Sequence, residues 1–290
     1  VALGATSYGM LATFVKLAYK EDFTTAEVTS SQFILGIIGI LIINLFQRTK
    51  NKNTAVKATP KNIMHLMLAG TSLGMTSVFY YLAVKHIPVS IGIVLLMQTV
   101  WMGVLLEWFL DKKAPSAQKI ISVIIVLIGT ALAINIFKID FNDPTIDWSN
   151  GLFWGLLAAA SFTTTMFTAN KVALGISSAQ RSLYMLLGGA VIVFGFSLYT
   201  QVTPFNFEIF TKWGIVLALF GTIIPPMLLN AGFPHTGIGL GSIVSSLELP
   251  VSVMMAYFLL NEQVLLIQWI GIVLIITAIV IMNIQFKKNK

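Results

Sequence analysis

Ten apolar runs crowd into 290 residues, and each is close to the about 20 residues that a helix needs to cross a bilayer. They cover 1–19, 26–46, 62–84, 88–110, 119–137, 150–170, 179–199, 213–233, 238–260 and 266–286. Hydrocarbon offers no partner to peptide N–H and C=O groups, so a chain built from such runs must satisfy its backbone inside helices. The composition agrees: 57% of residues are hydrophobic and 10% charged, against about 25% charged in soluble domains. The expected fold class is all-α integral membrane, with ten transmembrane helices.

Several classes fall away. The chain has no cysteine, which removes disulfides, thiolate metal sites and cysteine nucleophiles. His65, His86 and His235 are dispersed, without metal-ligand spacing. No metal and no cofactor are expected. The net charge of +7 is no sign of nucleic-acid binding, because the basic residues sit in loops and tails, where topology and anionic lipid account for them. The run that opens at Val1 lacks a basic leader and a cleavage site, so it does not read as a signal peptide. It begins already apolar and without Met, and further residues are expected upstream.

Loop charge orients the chain. Arg48, Lys50, Lys52, Lys57, Lys61, Lys112, Lys113, Lys119, Lys171, Arg181, Lys287, Lys288 and Lys290 fall on the face shared by both termini, opposed there by Asp111. The other face holds most of the acids, among them Glu21, Asp22, Glu27, Asp140, Asp143, Asp147, Glu208 and Glu262. Basic loops stay in the cytoplasm. The expected location is the plasma (inner) membrane, multi-pass, with both termini cytoplasmic.

The two halves resemble each other. Ile93-Val94 recurs as Ile243-Val244, and the same spacing sets Gln98 opposite Glu248 and Val100 opposite Pro250. Ser7 matches Ser161, and Lys16 matches Lys171 after a one-residue shift. The division is 1–138, an external linker at 139–149, and 150–290. Five spans is an odd number, so the second half must run upside down relative to the first. Inverted repeats of this kind hold a solute near the midplane, between the halves.

Ala83-Val84-Lys85-His86-Ile87-Pro88-Val89-Ser90, Ser246-Leu247-Glu248-Leu249-Pro250 and Leu259-Leu260-Asn261-Glu262 carry a resemblance that covers the whole chain. It is to the EamA type of the drug/metabolite transporter superfamily. Leu249 separates Glu from Pro, and Asn261 stands in place of a Gly. The resemblance implies ten helices around a central cavity, lined by the third, fourth, eighth and ninth spans with help from the first and sixth. It also implies transport of solutes, often export of metabolites or amino acids.

The residues that could do such work are few. Glu248 lies mid-run, where a carboxylate costs roughly 2.5–3.5 kcal/mol on insertion scales for Asp. Two residues on, Pro250 frees the carbonyl of Ser246. Glu248 is the candidate for proton coupling, with Ser245 beside it. Gln98 and Trp101 lie one turn apart in the fourth span, Tyr80 and Tyr81 end the third, and Tyr8, Ser161 and Thr164 occupy the first and sixth. Asn230 follows Pro225-Pro226, whose missing N–H groups are expected to kink the eighth span. Pro225, Pro226 and Pro250 are the candidate hinges. Glu107, near Lys112, reads as half of an interfacial ion pair, and Arg181 reads as a topology charge. No Lys or Arg lies at the midplane of a span, which disfavours phosphorylated solutes. The expected partners are a small neutral, zwitterionic or amphiphilic solute, the bilayer and protons. A channel would need a filter and an intramembrane enzyme a converging catalytic set; both are kept as alternatives.

Overall fold

A computed structural model describes residues 1–50, 56–141 and 143–283. Lys52, Lys287, Lys288, Lys290 and the end of the tenth run lie outside the described residues, and with them the last part of the second repeat. Ten helices follow one another: α1 Ala2–Lys20, α2 Thr25–Lys50, α3 Pro60–His86, α4 Val89–Asp111, α5 Ala117–Ala133, α6 Trp148–Lys171, α7 Ser178–Thr200, α8 Phe210–Thr236, α9 Ile238–Leu260 and α10 Leu266–Asn283. Eight of them are long and apolar enough to cross a membrane. Of the other two, α5 is shorter, and α1 carries Thr6, Ser7, Tyr8, Thr13 and Lys16. The described residues contain no strand.

Local chemistry sets the helix starts. Thr59, Ser116, Asp147 and Ser177 each accept a hydrogen bond from a backbone N–H of the first turn that follows, satisfying donors the helix itself leaves unpaired. Pro60 follows its cap at the one position where a missing N–H costs nothing. Lys112 and Asn261 end α4 and α9 in the left-handed conformation, at φ 52° and 53°.

The packing repeats when the halves are exchanged. Helix α3 lies along α7, as α8 lies along α2; α1 meets α9, as α6 meets α4; α5 pairs with α10, and α4 with α9. A two-fold exchange of the halves accounts for this pattern, and five spans per half make that exchange an inversion.

Lipid supplies no hydrophobic drive between helices, so close backbone approach must hold them together. At the α3–α7 crossing, a Cβ added to Gly188 would lie 1.9 Å from the Met67 carbonyl oxygen, and one added to Gly70 would lie 2.1 Å from that of Met185. Gly129 and Gly271 make the same approach between α5 and α10. Gly188→Ala is expected to destabilise the protein by about 1–3 kcal/mol through overpacking. Gly175→Ala, in open space, is the control, and the melting temperature of the purified protein is the readout.

Candidate functional site

The two helices that meet at the centre are both broken. In α9 the first segment ends at Ser245 and the second begins at Glu248. Pro250 cannot bond the Ser246 carbonyl, which instead accepts from the Leu249 N–H at 3.2 Å. The Ser246 hydroxyl turns back to Ile243 O at 2.6 Å. In α4 the first segment ends at Leu96 and the second begins at Thr99, with tight bonds from Gln98 N to Leu95 O (3.0 Å) and from Val100 N to Met97 O (3.1 Å). The first repeat is therefore broken at the same place as the second. No proline marks the break, and the Gln98 amide covers it by donating to Val94 O at 3.0 Å.

The breaks also correct the repeat register. Val89–Leu96 corresponds to Ile238–Ser245, and Thr99–Asp111 to Glu248–Leu260. Glu248 therefore stands opposite Thr99, not Gln98, and Pro250 opposite Trp101. The α3–α4 turn holds Ile87 and Pro88 where the α8–α9 turn has only Gly237, and this one-residue difference shifts everything downstream.

Tyr8, Tyr80 and Glu248 keep part of their surface accessible, yet protein surrounds all three. Both tyrosines lie within electrostatic reach of the Glu248 carboxylate. The Tyr8 ring meets Phe162 edge-on at 6.2 Å, and Tyr80 meets Tyr81 edge-on at 6.1 Å. Gly9 lets α1 approach this point, because a Cβ there would lie 2.4 Å from the Glu248 carbonyl oxygen. The group thus draws on α1, α3 and α9.

The other candidates are placed elsewhere or already engaged. Trp101 donates to Gln98 Oε1 at 2.8 Å and packs with the α5–α10 side chains Val123, Val126 and Ala278. Ser161 donates to Ser72 O at 2.8 Å, tying α6 to α3. Thr164 is exposed and bonds Ala160 O of its own helix at 3.0 Å. Ser245 is buried on Gly241 O at 2.9 Å. Asn230 is buried, gives its amide to Ser182 Oγ at 2.9 Å, and leaves Oδ1 without a partner. It lines a void of about 10 Å³ together with Tyr8 and Thr165, room for a single water. Pro225 and Pro226 follow a π-helical turn at Leu219–Ile223. Widening the turn accommodates the missing donors, and the Thr222 hydroxyl, shared between Gln32 O (2.9 Å) and Ala218 O (3.0 Å), fastens it to α2.

Three charged groups differ from their expected places. Glu107 pairs with Lys119 rather than Lys112, which is taken up in the left-handed cap of α4. Its carboxylate lies against Gly237 and Gly239 at the start of α9, where the helix dipole favours an anion. Arg181 is no topology charge. It is 2% exposed and donates to Val172 O (3.0 Å), Asn230 O (2.6 Å), Thr168 O (3.0 Å) and Ala169 O (2.5 Å), stapling the end of α6 to α7 and α8. Glu27, counted among the acids of the outer face, is buried in the first turn of α2. It accepts from Thr24 N (2.7 Å), Asn206 N (2.7 Å) and Gln201 Nε2 (3.1 Å), holding the α7–α8 loop. The Thr24-x-x-Glu27 capping box was a readable signal for part of this role; nothing in the sequence marks Arg181.

A helical membrane protein of two inverted five-helix repeats, with an acid at the break of the ninth helix, is the class this arrangement defines. The model of the EamA-like transporter family matches residues 1–135 and again 149–284, and the chain belongs to that family. No curated protein sequence matches it. One solved structure, titled "Crystal structure of protein", is similar with a TM-score of 0.79 over 97% of this chain and 96% of that one, at 13% identity. That likeness supports the fold alone.

Arg181→Met is expected to cost on the order of 3 kcal/mol, because it leaves several buried carbonyls unpaired. Arg181→Lys should recover part of the loss, as an ammonium has fewer donors in a different geometry. Chemical denaturation in detergent measures both.

Proposed function

We propose that the protein is a secondary transporter working by alternating access, in which the two halves rock around a central site at Glu248. The observation that carries this reading is the position of Glu248: a carboxylate at a helix break, partly accessible, facing two tyrosines and deep inside the bundle. Intramembrane acids facing a cavity serve ion and substrate pathways. Glu248 is the proton-coupling group, and the break in α9 supplies the mobile joint.

The solute is a small neutral, zwitterionic or amphiphilic metabolite, amino-acid-like solutes among them. Tyr8, Tyr80 and Tyr81 offer ring faces and hydroxyls, suited to an apolar body with a polar tip. The buried cation, Arg181, is spent on carbonyls, so an anionic group on the solute finds no counter-charge there. The protein sits in the plasma (inner) membrane with both termini cytoplasmic, as the basic loops at Arg48–Lys61 and Lys112–Lys119 support.

Glu248→Gln tests the coupling. In liposomes containing the purified variant, counterflow of a solute is expected to persist, while uptake driven by a pH gradient falls at least tenfold. Gradient-driven uptake equal to that of the parent protein would remove Glu248 from the coupling step.

A further inference from the structure

Two ion pairs answer each other across the inverted repeat. Lys16, in the last turns of α1, pairs with Glu262, just past the end of α9. Lys171, the last residue of α6, pairs with Asp111, the last residue of α4, at 3.6 Å. Each lysine lies in the last turns of the helix that opens its repeat, and each acid lies at or just past the end of the second segment of a broken helix. Each pair also joins one half to the other: Lys16 of the first half to Glu262 of the second, Lys171 of the second half to Asp111 of the first. Chain parity puts them on opposite faces. Lys171–Asp111 lies on the face where the chain starts, and Lys16–Glu262 on the other.

We propose that these pairs are reciprocal latches, one closing each face of the central cavity. The inference rests on the alternating-access reading and adds to it the groups that set the balance between states. Rocking one half against the other around a central site separates the halves at one face while holding them at the other. A side-chain pair that spans the halves at one face must break when that face opens. All four side chains are about half exposed, so their charges rehydrate on opening and the pairs are weak. A latch needs that weakness, since a strongly held pair would trap one state. The breaks in α4 and α9 lie between these acids and the cavity, so opening a latch moves the segment that begins at Thr99 or Glu248.

Because the chain contains no cysteine, labels can be placed without removing native thiols. Spin-label pairs at Lys20→Cys with Gln263→Cys, and at Lys113→Cys with Leu174→Cys, report the two faces from exposed positions. The full chain is studied in lipid nanodiscs by pulsed dipolar spectroscopy. Glu262→Gln is expected to raise the ratio of open to closed at the Lys20–Gln263 face by about two- to five-fold, the range for a weak exposed pair. Asp111→Asn should do the same at the Lys113–Leu174 face, and the exchange Lys16→Glu with Glu262→Lys should return the parent distribution. If both faces sample two distances in the parent protein but ignore these substitutions, the latches are overturned and the transport reading stands. If every variant and the parent show one fixed distance at both faces, the rocking reading falls and the latches with it.

Discussion

A peptide group in hydrocarbon has no water to bond, and this constraint shapes the irregular features at the centre of the bundle. The breaks in α4 and α9 and the wide turn in α8 all occur where protein surrounds the backbone. Each carries its own polar repair. The Gln98 amide covers the break in α4, Ser246 covers that in α9, and Thr222 closes the turn in α8. The same rule explains why Glu248 is found at a break. A break exposes unpaired backbone groups, so the polar residues that cover them must gather there, in surroundings that also tolerate a carboxyl group.

What holds the bundle rigid enough for a break to act as a joint is the contact of glycine with backbone. The α3–α7 and α5–α10 crossings bring main chains together with no side chain between them. Packing of this kind resists sliding, because any shift drives an oxygen into an α-carbon. The α1–α9 contact at Gly9 is equally close, yet its partner is the broken segment at Glu248. Movement at the centre must therefore take α1 with α9 or separate them, and Tyr8, one residue from Gly9, would travel with that choice. From α7, Arg181 ties the end of α6 and α8 into one piece by donating to carbonyls of both, so the stiffness there comes from a buried cation whose hydrogen bonds go to backbone carbonyls.

Ten helices were legible from the sequence because spanning length and composition leave a bilayer chain few choices, and the caps at Thr59, Ser116, Asp147 and Ser177 fall where loop residues meet apolar runs. The break in α9 was signalled by Pro250. That in α4 carried no signal, since Met97-Gln98 reads as ordinary helix and the break follows from repeat geometry. The register slipped by one residue because identities among Ile, Val and Leu recur by chance, whereas the single missing residue at Gly237 decides the alignment. Glu248, Tyr8 and Tyr80 were singled out by depth and residue type, and the fold brings both tyrosines within electrostatic reach of the carboxylate. Gln98, Trp101 and Ser161 were not separable from them in sequence, because a polar residue that bonds its neighbour and one that faces a cavity look the same until the helices are placed.

The corrected register changes what the asymmetry between the halves means. Opposite Glu248 stands Thr99, a buried hydroxyl, and opposite Pro250 stands Trp101, held by Gln98. Two halves with similar backbone breaks therefore differ in charge and in stiffness. The second has an ionisable group and a proline that leaves its break unclosed by a normal helical bond; the first has a hydroxyl and an indole hydrogen-bonded in place. If protonation drives the cycle, its free energy enters through the second half alone, and the first half serves as the surface against which that half moves. The two ion pairs between the halves, each about half exposed, carry no such asymmetry, whereas the acid at the break is present in the second half and absent from the first.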